Sequence, residues 1–82
     1  MQLTIRYFAA ARAAAGRDEN VVTIDESSTL GELELVLAHG NPALAQVLER
    51  SSYLRDEIAV RDRSAPLGPC RILDVLPPFA GG

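Results

Sequence analysis

The sequence predicts an α+β domain, a mixed β-sheet packed on one face by helices. Three observations carry this. Strand-like alternation sits near both ends, in QLTIRYF (2–8) and RILDVL (71–76). The main amphipathic helix lies between them, with Leu30, Leu33 and Leu37 at helical spacing and Val36 beside them. The 82 residues suffice for one domain and not for two.

Each element has a local cause. In 2–8, Leu3, Ile5 and Tyr7 share one face, and Gln2, Thr4 and Arg6 the other. AAARAAAG (9–16) is a strong helix former, and Gly16 supplies a left-handed cap. NVVTID (20–25) reads as a strand antiparallel to the first, with Val22 and Ile24 inward. Thr29 and Glu32 fit a capping box ahead of the Leu-rich helix, which Gly40 ends. Asn41-Pro42 then starts a further helix, with Asn as cap and Pro at the first helical position. Its apolar stripe is Leu44, Val47 and Leu48. A short strand is expected at EIAVR (57–61), and a Pro- and Gly-rich turn at 64–69. The last strand carries Leu73 and Val75 on one face, and Pro77-Pro78 stops it.

This order fits a β-grasp arrangement. The first and last strands lie side by side and parallel, and the central helix crosses over the sheet. Residues 1–76 are expected to form the domain and residues 77–82 a tail.

Composition excludes several classes of function. The net charge is −3 and every basic residue is Arg. Nucleic-acid binding, which needs a basic patch against phosphates, is not expected. Schiff-base chemistry and the P-loop lysine are absent with lysine itself. The chain can donate its carboxyl in acyl transfer but has no lysine side chain to accept one. The single Cys70, and an N-terminus that runs straight into a strand pattern, read as cytoplasmic. No apolar run approaches the ~20 residues that span a membrane.

Cys70, in the turn beside Pro69, reads as structural, and His39 at a helix end as solvated or capping. The acidic pairs at 18–19 and 25–26 fall at turns. Arg55, Asp56 and Glu57 read as a charged surface run.

The tail reads LPPFAGG. Pro77 and Pro78 stiffen the exit from the sheet. Phe79 is a large apolar group with nothing local to bury it. Ala80, Gly81 and Gly82 have almost no side chains, which suits a narrow tunnel in a partner. From Pro77 to Gly82 the extended chain reaches roughly 20 Å. The Gly82 carboxyl, with an ordinary α-carboxyl pKa near ~3.5, is ionised at neutral pH and a poor electrophile. It transfers something only after conversion to a mixed anhydride such as an acyl-adenylate. A sulfur nucleophile can then displace AMP and leave a thiocarboxylate.

RYFAAARAAAG near the start and VLPPFAGG at the end resemble the MoaD family, the small sulfur-carrier subunits of molybdopterin synthase. The resemblance covers the whole chain. It implies that an E1-like enzyme using ATP and magnesium adenylates Gly82, and that sulfur transfer makes a thiocarboxylate there. The tail from Pro77 through Pro78, Phe79, Ala80 and Gly81 would enter a MoaE-like large subunit, in a heterotetramer. Sulfur would pass to cyclic pyranopterin monophosphate, with the catalytic groups on the large subunit and no cofactor held by this chain. Phe8, Leu76 and Phe79 match the family's apolar interface residues. Arg12 matches an Arg expected to meet the activating enzyme. Phe8 and Leu76 are also out of phase with their strands' inward residues, so both are expected on the sheet face away from the helices.

One departure stands out: Pro69-Cys70-Arg71 replaces the family's acidic turn before the last strand, and partner specificity changes with it. The alternatives are a related carrier for thiamin or cysteine synthesis, a ubiquitin-like modifier, and a plain interaction domain with an idle tail.

Overall fold

The computed structural model describes residues 1–78, so the expectations for Phe79, Ala80, Gly81 and Gly82 lie outside the described residues. Eight elements follow in order: β1 (Gln2–Tyr7), α1 (Ala9–Ala15), β2 (Glu19–Thr23), α2 (Leu30–Leu37), α3 (Pro42–Arg50), β3 (Ser52–Arg55), β4 (Ile58–Ala59) and β5 (Ile72–Leu76). The sheet order is β2-β1-β5-β3-β4. β1 and β5 pair in parallel at its centre, with Ile5 opposite Leu73 and Tyr7 opposite Val75. The other pairs are antiparallel. This is the α+β, β-grasp architecture that the sequence predicts.

The core lies between the sheet and the helices. Leu3, Ile5, Tyr7, Tyr53, Leu73 and Val75 point inward from the strands. Ala11, Leu30, Leu33, Leu44 and Leu48 meet them from the three helices. Burying a side chain of this size stabilises by about 1.5–3 kcal/mol. Val22, Ile24, Leu37 and Val47 are partly buried against this cluster.

The helix boundaries follow their caps. Gly16 closes α1 at φ 75°, in the left-handed region, with its N–H donating to the Arg12 carbonyl. Thr29 and Glu32 form the expected capping box. Asn41 does two jobs: its Oδ1 accepts from Leu44 N–H, and its Nδ2 donates to the Ala14 carbonyl. That second bond ties α3 to α1.

The structure corrects the sequence reading at three places. The helix ending assigned to Gly40 falls earlier: Leu37 is the last helical residue and Ala38 the cap. Val36, grouped with the inward Leu residues, is 56% exposed. The single strand expected at 57–61 is a hairpin, in which β3 and β4 flank a two-residue turn at Asp56-Glu57. Both turn residues have positive φ, 46° and 73°. Turns of this hand match the twist of the strands but normally use Asn or Gly. With Asp-Glu in that position, the sequence lacks the usual hairpin signal.

Candidate functional site

The base of the tail is the rigid part of the site. β5 is the central strand, hydrogen-bonded to β1 on one side and β3 on the other. Leu73 and Val75 are fully buried. Leu76 is half-buried and lies opposite Ser52. Pro77 is half-buried and Pro78 exposed. The chain therefore leaves the sheet from its best-anchored strand.

Phe8 caps the neighbouring corner. Its N–H donates to the Val75 carbonyl, and its own carbonyl accepts from Ala11 and Arg12 as α1 begins. Phe8 is 41% exposed. The next residue, Ala9, has φ 49°, a left-handed conformation that a residue with a Cβ adopts at a cost of about 1–2 kcal/mol. Such strain persists only where the surroundings over-determine it. Here the fixed points are the β1–β5 ladder before it and the first turn of α1 after it.

The open face of the sheet has a charged centre within an apolar frame. Register places Arg6 opposite Asp74 and Thr4 opposite Ile72 across the β1–β5 pair. Across β5–β3, Asp74 faces Leu54 and Leu76 faces Ser52. Arg6 donates two hydrogen bonds to Asp74, from Nε to Oδ1 at 2.5 Å and from Nη2 to Oδ2 at 2.9 Å. The Asp74 side chain is only 8% exposed. The bond and charge of Asp74 raise the Arg6 pKa above its ordinary value. Leu54, Ile72 and Leu76 are half-buried around this pair, and Val21 is exposed beyond it. The sequence reading names Phe8 and Leu76 for this face. It misses Arg6, Leu54, Ile72 and Asp74, although Arg6 is in phase with Phe8, and Ile72 and Asp74 with Leu76.

On the other side of the exit, Pro77 and Pro78 form one wall of a groove of ≈ 500 Å³ with Ala10, Val47, Glu49 and Arg50. No motif marks Ala10, Val47, Glu49 and Arg50 as partners of the two prolines, since they meet only when α1 and α3 pack side by side. Arg12 is exposed, with a loose 3.8 Å contact to an exposed Asp18, a pairing worth little in water.

The departing turn before β5 is also accounted for. Asp56 Oδ1 accepts from Ile72 N–H at 3.0 Å and from Arg71 N–H at 3.1 Å. These two backbone bonds hold the Asp56 carboxyl below its ordinary pKa. Arg55 donates to the Leu67 carbonyl, bracing the same loop. The residue read as surface charge thus clamps the start of β5. Cys70 is buried, and burial, then the Asp56 charge, pushes its thiol pKa up, the opposite of a reactive thiolate. His39 is exposed. Among the described residues, no three metal-ligating side chains gather, and no helix is long and apolar enough to cross a membrane.

Comparison with known proteins places the chain. No curated protein sequence matches it significantly. Among solved structures, it is similar to the Haloferax volcanii protein HVO 2177, with a TM-score of 0.79 and 26% identity, covering 100% of this chain and 87% of that one. It is similar to SAMP1 of the same organism, with a TM-score of 0.77 and 24% identity over 100% of both chains. It also resembles a chain from the complex of subunits 1 and 2 of the molybdopterin-converting factor of Helicobacter pylori, with a TM-score of 0.70 and 18% identity over 100% of both. The ThiS family matches residues 5–82, from the middle of β1 through the remaining strands to the end of the tail. The chain therefore has a ubiquitin-like β-grasp fold and belongs to the ThiS family.

Proposed function

We propose that the chain works through the carboxylate of Gly82, as a ubiquitin-like modifier that is also competent to carry sulfur. The observation that carries this reading is the exit of the tail from the central strand. Leu73 and Val75 are fully buried, Pro77 is half-buried, and Pro78 is exposed. That geometry offers a stiff base for a carboxyl group presented on a reach. A family match that runs through residue 82 supports it. So does the likeness to small archaeal modifier proteins over 95% and 100% of the chain.

The chemistry is common to both destinations. ATP converts the Gly82 carboxylate to an acyl-adenylate and releases pyrophosphate. A target amine then displaces AMP to give an amide, or a sulfur nucleophile displaces it to give a thiocarboxylate. An activating enzyme supplies the nucleotide site. Residues 1–76 serve as the docking body and 77–82 as the carrier segment, with Phe8, Leu76 and Phe79 against the partner and Arg12 toward the activating enzyme.

The second reading is the small subunit of molybdopterin synthase, passing sulfur from Gly82 to cyclic pyranopterin monophosphate. The likeness to a chain of the Helicobacter pylori complex favours it. A MoaE-like large subunit would then cover the open sheet face.

Coexpression with an E1-like activating enzyme and a sulfur source tests the proposal by intact mass and by tryptic mapping of conjugates. The expected result is a Gly82 thiocarboxylate or a Gly82–lysine amide on other proteins. Neither is expected from a chain ending at Ala80. Unchanged activity of that truncated chain would sink the proposal. Stable copurification with a MoaE-like subunit, with no conjugates, would select the second reading.

A further inference from the structure

The outward face of α2 is unlike that of a solvated helix. Glu32, Leu35 and Val36 follow i, i+3, i+4 spacing and share one side. Leu30 and Leu33 point the other way, into the core. A surface helix normally turns charged and polar residues outward. Here Leu35 is 76% exposed and Val36 56%.

Leu35 is also a ridge between two grooves. One, of ≈ 340 Å³, runs along Ile24, Ser28, Glu32 and Val36. The other, of ≈ 270 Å³, lies between α2 and α3, along Ala38, Ala45, Leu48 and Glu49. Leu35 lines both. A contiguous apolar ridge with a groove on each side is a recognition surface rather than a scattered exposed residue.

Charge decides what covers it. The two grooves contain three carboxylates, Glu32, Glu34 and Glu49, and one guanidinium, Arg63. Arg63 is committed to Glu34, at 2.6 Å. Glu32 keeps one carboxylate oxygen on Thr29 in the capping box, and Glu49 is exposed, so the two grooves together carry an excess of negative charge. A second copy of this chain placed symmetrically on the patch would bring two net-negative surfaces together, which is unfavourable. A basic segment is attracted instead.

We infer that the α2–α3 face docks a basic amphipathic helix of a partner protein, with apolar side chains straddling Leu35 and cationic ones against Glu32 and Glu49. This face is formed by helices on the side of the sheet opposite Arg6, Asp74 and Leu76. A partner there leaves the open sheet face free and meets the Pro77 groove only at Glu49, so two partners can be held at once.

The test is titration of the full chain, followed by ¹H–¹⁵N spectra, with a synthetic helical peptide carrying Leu at i and i+4 and Arg on the flanks. Saturable shifts are expected at Ile24, Leu35, Val36, Ala38 and Ala45. Leu35→Ser and Glu49→Arg should each weaken binding about ten-fold, equal to about 1.4 kcal/mol, with otherwise parental spectra. Both sites are exposed, so the fold tolerates these changes. A peptide with Glu in place of Arg should not bind. Absence of shifts at millimolar peptide would overturn the inference. So would shifts centred on Phe8 and Leu54, equal binding of the acidic peptide, or a dimer in sedimentation that Leu35→Ser dissolves.

Discussion

Arg6 and Asp74 face each other across the parallel β1–β5 pair, joined by two hydrogen bonds of 2.5 and 2.9 Å. The pair is lopsided: the Asp74 side chain is 8% exposed and that of Arg6 41%. Loss of either partner therefore has unequal consequences. Arg6→Leu strands a buried carboxylate, whereas Asp74→Leu leaves a guanidinium that can turn to water. Arg6→Leu is expected to lower Tm more than Asp74→Leu. The double substitution should recover most of the loss, because an apolar pair needs no compensation there. Thermal unfolding of the three variants by circular dichroism checks the order. A double variant less stable than Arg6→Leu would contradict it.

Asp56 ties stability to pH. Its carboxylate accepts bonds from Ile72 and Arg71, which lower its folded pKa below the ordinary ~3.9. A lowered folded pKa contributes stability above the unfolded value, and that contribution is lost as pH falls through the folded one. Asp56→Asn should therefore destabilise at pH 7, and the difference from the parent should narrow at a pH well below the ordinary carboxylate range. Urea titrations at both pH values measure it. A difference that persists at the acid end would contradict the assignment.

Gly16 and Leu73 probe the backbone and the core. Gly16 sits at φ 75°, and a Cβ there would meet nothing within 4 Å. Gly16→Ala is therefore a pure backbone cost of about 1–2 kcal/mol, which lowers Tm by roughly 4–8 °C per kcal/mol in a domain of this size. Leu73 is 0% exposed in the central strand. Leu73→Ala should cost about 2–5 kcal/mol through lost burial and cavity formation. Denaturant midpoints give both values, and Leu73→Ala must exceed Gly16→Ala.

Phe8 and Leu76 test the open face. Phe8→Asp and Leu76→Asp should keep the fold and weaken binding to an activating enzyme or a MoaE-like subunit by at least about ten-fold. Isothermal titration reads the loss. Unchanged affinity for both partners in both variants would remove the face from the proposal.

The sequence carries the strongly periodic and capped parts of this fold. β1 alternates cleanly, and Thr29/Glu32 and Asn41/Pro42 announce their helices by chemistry that acts within four residues. β3 and its hairpin are hidden because Asp56-Glu57 adopts a turn that other residues usually make. Val36 sits inside an apolar run, LELVL, in which periodicity alone does not choose the inner face. Of the site, Phe8 and Leu76 show themselves by phase. Arg6–Asp74 spans 68 positions and the Pro77 groove joins three elements, so neither leaves a local mark.

The placement of β5 has a mechanical consequence. A pull on the tail loads this strand along its axis while ladders on both sides hold it, four residue pairs with β1 and four with β3. The interstrand bonds lie across the direction of pull, so they resist together in shear rather than opening one after another. An edge strand such as β4, with two pairs on one side, would peel. A partner that draws the tail into a tunnel, or a machine that tugs on something attached to it, thus grips the molecule by the strand that yields last.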